Sequence, residues 1–162
     1  QFGDDAGPAV LDLVRVVLED EVWEVSRAAG KALADLGATA APAVPVLAEA
    51  LSEEEEEDVR AAAVEALGRL GPVAEAALGK VAEALTDEVE EVRSAAVDAL
   101  GWLGKVAVPV VPKLAAALMK EATGDTVRIE AAHVLGALGE AAGAAIPELI
   151  KALGDASPEI RA

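Results

Sequence analysis

Val59 to Gly71 reads VRAAAVEALGRLG, and the chain returns to this phrase. VRSAAVDALGWLG runs from Val92 to Gly104, and VRIEAAHVLGALG from Val127 to Gly139. A weaker copy, VSRAAGKALADLG, spans Val25 to Gly37, and a fifth opens at Ile160-Arg161-Ala162. The starts at 25, 59, 92, 127 and 160 are separated by 34, 33, 35 and 33 residues. Self-similarity at such a period marks one supersecondary unit stacked repeatedly. From Val59, the apolar residues Ala63, Ala66, Leu67 and Leu70 follow at spacings of 4, 7, 8 and 11, which is one face of an α-helix. Gly71 comes directly after, as Gly37, Gly104 and Gly139 do in their copies, and glycine accepts the left-handed backbone that ends a helix. Gly68, Gly101 and Gly136 lie on the helix flank, with Ala34 in the first copy. A glycine inside a helix costs about 1 kcal/mol. Its return at one position predicts that a neighbouring helix needs the gap.

A second motif alternates with the first. It reads AVPVLAEAL ending at Leu51, ALGKVAEAL at Leu85, VVPKLAAAL at Leu118 and AIPELIKAL at Leu153, with a degenerate copy, VLDLVRVVL, ending at Leu18. Pro45, Pro112 and Pro147 stand six residues before the closing leucine. Proline is tolerated in the first turn of a helix, so these helices begin only a few residues earlier. Ser52, Thr86, Asp125 and Ser157 are the expected N-caps or turn formers between units. No segment alternates like a half-buried strand. The fold class is therefore all-α: an α-solenoid of about four to five helix-pair repeats. One domain spans residues 1–162, with 1–7 as a flexible N-terminus and the last unit truncated. A single pair cannot bury its own apolar face, so the units must stack.

VRxxAAxALGxLG followed by an A-x-P-x-L-x-x-A-L helix resembles the HEAT-like repeat of the phycobilisome-lyase type, from Pro8 to Ala162. The resemblance implies a rod of HEAT-like helix pairs. It carries several functions, because that family holds bilin lyase subunits, phycobilisome-handling proteins, scaffolds and engineered binders. Arg60, Arg93, Arg128 and Arg161 match the arginine of the motif, and Ser26 replaces it in the first copy. At one-repeat intervals these arginines are expected to form a structural ladder, each pairing with an acid of the adjoining unit. The competing role is a phosphate or carboxylate clamp.

Composition limits the chemistry. Thirty acids against 13 bases give a net charge of -17, which repels nucleic acid and anionic membranes and attracts a basic partner. There is no cysteine, which removes disulfides and thiol catalysis and suits a cytoplasmic setting. No apolar run is expected to approach the roughly 20 residues of a membrane span. No P-loop, G-x-S-x-G or dinucleotide fingerprint is present, so no catalytic residue, metal or cofactor is assigned. The lone His133 follows Glu130 by three residues and is expected at the surface, since Glu-x-x-His binds metal only with partner elements. The acidic run from Glu53 to Asp58 lacks the spacing of a calcium loop.

Function is expected instead on the helix face opposite the apolar stripe. Offsets 2, 3, 6 and 10 from each starting valine hold Arg27, Ala28, Lys31 and Asp35, and then Ala61, Ala62, Glu65 and Arg69. The later copies place Ser94, Ala95, Asp98 and Trp102, and Ile129, Glu130, His133 and Ala137, at the same offsets. Trp102 stands where the other copies have Asp35, Arg69 and Ala137, so the repeat does not require an aromatic there. An exposed tryptophan is an interface anchor, and the alternative is that it lies down on adjacent aliphatic surface. The candidate partner-binding set is Trp102, Ile129, His133, Glu130, Asp98, Arg69 and Glu65, with Trp23 in the turn before its helix. The expected function is a non-catalytic scaffold for a protein or peptide partner. The family resemblance adds bilin handling as an alternative. Self-association through the open repeat ends is a third reading, using an apolar face around Ala145, Ile146, Leu149 and Leu153.

Overall fold

The computed structural model describes residues 6–52, 55–120 and 124–161. Among these residues the chain forms ten α-helices and no strand. They are α1 (Ala6–Glu19), α2 (Trp23–Asp35), α3 (Ala43–Glu49), α4 (Glu57–Arg69), α5 (Leu78–Glu83), α6 (Glu90–Leu103), α7 (Val111–Met119), α8 (Asp125–Leu138), α9 (Ile146–Ala152) and α10 (Pro158–Arg161). The repeated phrase forms α2, α4, α6 and α8, and the second motif forms α1, α3, α5, α7 and α9. Residues 1–5 of the expected flexible N-terminus lie outside the described residues. Ala6 and Gly7 already belong to α1.

Each helix of the first row packs against the next: α2 on α4, α4 on α6, and α6 on α8. The second row covers one side of it, through contacts such as α3 with α4 and α7 with α8. The core is thus a thin sheet of small side chains between two rows of helices. Leu33, Leu67, Leu100 and Leu135, at one position of the phrase, are all buried, as are the partnering Leu47, Leu85, Leu114 and Leu118. Each buried leucine contributes roughly 1.5–3 kcal/mol, with no large aromatic needed to fill the layer. Val92 and Val127 are fully buried at matching sites, and Val59 is partly buried at its own.

The proline helices start as expected, with Pro112 and Pro147 in the first two residues of α7 and α9. The glycine stops differ in detail. Gly37, Gly71, Gly104 and Gly139 all have φ between 54° and 59°. At Gly104 and Gly139, however, ψ is -124° and -129°, far from a left-handed helical turn. This is the backbone of the first corner of a type II′ turn, where glycine leads. The chain then runs into 3-10 turns, Gly104–Val110 and Gly139–Ala145, that deliver it to the next helix. The same breaks settle a matter of composition. Glu90–Met119 and Asp125–Ala152 are long and apolar enough to qualify as membrane spans, contrary to the sequence expectation. Each is two helices divided at a glycine, and the longer piece has 14 residues, about 21 Å against roughly 30 Å of hydrocarbon.

Of the expected N-caps and turn formers, Ser157 stands directly before α10 with its carbonyl accepting Arg161 N, and Ser52 O accepts Glu55 N in a turn, while Thr86 and Asp125 are corrected. The residues preceding α4, α6 and α8 are Glu56, Val89 and Gly124, and none caps through its side chain. Thr86 Oγ1 donates backwards to Glu83 O, and Asp125 is the first residue inside α8. The turns are made instead by Asp20, Asp87 and Asp155, whose Oδ1 atoms each accept the backbone N–H two residues on. Such Asx turns fix the entry to the following helix. All three sit five residues before a repeat start, a recurrence visible in the aligned copies but not singled out from the sequence.

Candidate functional site

The arginines of the repeat face the loops. Arg60 Nε and Nη2 grip both oxygens of Asp87 at 2.9 and 2.8 Å, and Nη1 donates to Glu55 O at 2.7 Å. Arg128 donates to Leu118 O at 2.9 Å, to Asp125 at 2.8 Å, and to Asp155. Arg60 and Arg128 are buried and reach an acid of the next loop. Arg93 and Arg161 hold their own loops, at the carbonyls of Asp87 and Glu88 and of Asp155 and Ala156. Burial alone would push the Asp87 carboxyl up. The Arg60 hydrogen bond, the Val89 amide and the charges of Arg60 and Arg93 outweigh it and hold the group below its ordinary value. The hydrogen bond to Asp87 raises the Arg60 guanidinium in turn. Asp155 is also held low, first by the Ser157 amide, with Arg128 contributing.

The face opposite the apolar stripe is narrower than the helix angles predict. Ala62 is buried, and Ala61, Ser94, Ala95, Ile129 and Glu130 are half-buried. A helix in the middle of a row has a neighbour on both flanks, so offsets 2 and 3 become packing positions. Glu130 shows this: its carboxylate turns to α6 and accepts Ser94 Oγ at 2.8 Å. Offsets 6 and 10 form the ribbon that remains, with Lys31, Asp35, Asp98, Trp102, His133 and Ala137 exposed and Glu65 and Arg69 half-buried.

Ionic contacts along this ribbon cross three units. Arg27 of α2 approaches Glu65 of α4 at 3.5 Å. Glu65 Oε1 accepts Arg69 Nη2 at 2.6 Å and Nε at 2.9 Å. The Arg69 guanidinium lies over the Trp102 ring of α6, 4.6 Å from its centroid. A Cβ placed on Gly68 would come within 3.0 Å of Trp102 Cε3, so the indole rests above the glycine gap. Even so held, Trp102 is 46% exposed. Beside it, burial and the charge of Glu65 push the Asp98 carboxyl up. His133 lies farther along, exposed, at the edge of a groove near the C-terminal end. In that groove Ile146, Ile150 and Leu153 are exposed and Leu149 is half-buried, whereas Ala145, expected in the open face, is fully buried. Trp23 lies away from Trp102, lining a cleft between the first two units.

Three comparisons bear on this architecture. The sequence profile described as HEAT repeats matches residues 1–68 and 44–136, and the one described as PBS lyase HEAT-like repeat matches 127–155. Comparison with curated proteins returns no match. Among solved structures, the complex of CpcE and CpcF of phycocyanin lyase from Nostoc sp. PCC7120 aligns with a TM-score of 0.75 at 22% identity, over 95% of this chain and 94% of that one. A crystal structure of an engineered protein aligns at 0.61 and 24% identity, over 94% and 75% of the two chains. A designed armadillo repeat protein in complex with the peptide (KR)4 aligns at 0.59 and 20% identity, over 98% and 82%. At these identities the likeness is one of fold.

Proposed function

The chain belongs to the HEAT repeat family, and from that premise we propose that it is a non-catalytic interaction module that reads a basic protein or peptide segment along the ribbon of α2, α4, α6 and α8. The observation that carries the reading is Trp102. It is half exposed, it fills no core site, and Arg69 and the Gly68 gap fix its ring in advance. A large aromatic immobilised before binding loses little entropy on contact, which is how interface anchors work. The net charge of -17 favours a cationic segment, and Asp98 offers it an exposed carboxyl beside the indole. The designed armadillo neighbour binds (KR)4, which supplies a probe.

The test is titration of a fluorescein-labelled (KR)4 peptide at low salt, followed by anisotropy. Trp102→Ala is expected to weaken binding about thirtyfold, the loss of a hot spot worth roughly 2 kcal/mol. Trp102→Phe should retain most of the affinity. If the alanine variant binds like the parent, this face is not the binding surface.

A second reading is favoured by the matched PBS lyase HEAT-like repeat at 127–155 and the full-length alignment with the phycocyanin lyase complex. In it the chain is one subunit of a pigment-handling pair. Mixing the protein with a bilin and an apo-phycobiliprotein would then change the pigment's visible absorbance. A spectrum identical to the protein-free mixture removes this reading.

A further inference from the structure

The strongest unexplained feature is a cleft of about 450 Å³ between the first two units, beside Ser26. It opens where the repeat departs from its own pattern. In later units the position of Ser26 is an arginine, and Arg60 and Arg128 show where its head group goes. Each guanidinium lies between its own unit and the loop of the next, on carbonyl and carboxylate oxygens. Arg128 Nε also donates to Leu118 O, in the last turn of the preceding helix. Ser26 is buried and makes the matching contact from its hydroxyl, donating to Val17 O in the last turn of α1 at 2.6 Å. Serine reaches the carbonyl but supplies nothing beyond it. The cleft beside it has room for a guanidinium.

The walls remain suited to the missing group. Glu19, Asp20 and Glu21 come from the unit's own loop, and Glu56 and Asp58 from the next unit, the same two sources that hold Arg60. Trp23, 47% exposed, also lines the cleft, and an indole face attracts a cation. We propose that this cleft is a guanidinium socket, which takes an arginine side chain from a partner where the other repeats use their own. Planar, bidentate recognition by carboxylates selects arginine over lysine. The internal repeats therefore identify the ligand, as chemically equivalent positions in one chain hold a guanidinium twice. Neither Trp102 nor the Arg69 and Glu65 that hold it lines the cleft, so either assignment can fail without the other.

The experiment uses N-acetyl-L-argininamide as probe, at low salt, on the full chain carrying Trp102→Phe, with Trp23 fluorescence as readout. A saturable change is expected. The lysine analogue should bind at least tenfold more weakly, and the citrulline analogue, equal in shape but neutral, should give no response. Ser26→Arg should abolish the response and raise the urea midpoint, since an arginine in cis occupies the same oxygens. Equal binding of the citrulline or lysine analogue would overturn the guanidinium assignment, as would undiminished binding in Ser26→Arg. Should Ser26→Arg fail to fold, the double variant Glu56→Gln, Asp58→Asn takes its place. A tenfold or greater loss of affinity there supports the socket, and unchanged affinity overturns it.

Discussion

Arg60→Ala is expected to lower the free energy of unfolding, read from urea denaturation, by roughly 2 kcal/mol at pH 7, and by less in acid. The guanidinium ties three segments together: its own helix, the loop at Glu55 and the loop at Asp87. Removing it strands a carboxylate whose side chain is only 9% exposed. In a deep core, breaking such a pair costs about 3–5 kcal/mol. Here the array is two helices thick, water is never far away, and Asp87 keeps the Val89 amide, so the smaller figure applies. The pH dependence follows from Asp87 being held low in the folded state. An unfolded aspartate titrates near 3.9, so above about pH 5 the pair contributes in full. Below that, the unfolded chain takes up the proton first, and the contribution falls away as pH drops through the folded value. The parent and the variant should therefore converge in acid. A difference that stays the same size down to full protonation of Asp87 would show that the pair's charge contributes nothing, leaving packing and the Glu55 carbonyl. Arg93→Ala provides the contrast, because Arg93 is half-buried where Arg60 is buried; it should cost less than Arg60→Ala.

These two arginines show how far the repeat could be read before the fold was known. Periodicity is a local property, and it placed the helices, the glycine stops and the proline starts, because each depends on a few neighbouring φ and ψ angles. What was not legible depends on the neighbouring unit. A helical wheel drawn for α4 leaves Ala62 facing outward, yet α2 covers that flank. The aligned arginines share one place in the phrase, yet Arg60 and Arg128 are buried against an acid of the next loop while Arg93 is half-buried and Arg161 exposed. The Asp20, Asp87 and Asp155 column was available in the copies, and two of its members receive Arg60 and Arg128, but it lies outside the conspicuous phrase. Trp102 was legible as an exception to the repeat. Its contact with Arg69 was not, since those residues meet only when α4 and α6 stack.

The flank glycines carry the same lesson into a measurement, because three residues with one sequence role should respond in three ways to alanine. At Gly68 an added Cβ would lie 2.5 Å from Ala99 Cα and 2.6 Å from Ala99 Cβ. The obstacle is backbone, which cannot swing aside, so α4 and α6 must separate along the row's tightest seam. Overpacking of this kind costs about 1–3 kcal/mol, and the upper end is expected here even after the helix-propensity gain of alanine. Trp102 should shift with it, since its ring sits over the same gap, and its emission should move to the red as Arg69 contact is lost. At Gly101 the nearest atom is Val134 Cγ2 at 3.3 Å, a side-chain methyl that can yield, so the two effects should nearly cancel. At Gly136 nothing lies within 4 Å. There alanine meets no obstacle and gains the propensity of a better helix former, stabilising by about 0.8–1.0 kcal/mol. The order of urea midpoints should thus be Gly136→Ala above the parent, Gly101→Ala near it and Gly68→Ala well below. A common shift in all three would mean that the glycines serve the helix itself, and that the seams between repeats are looser than the stacking of α4 on α6 requires.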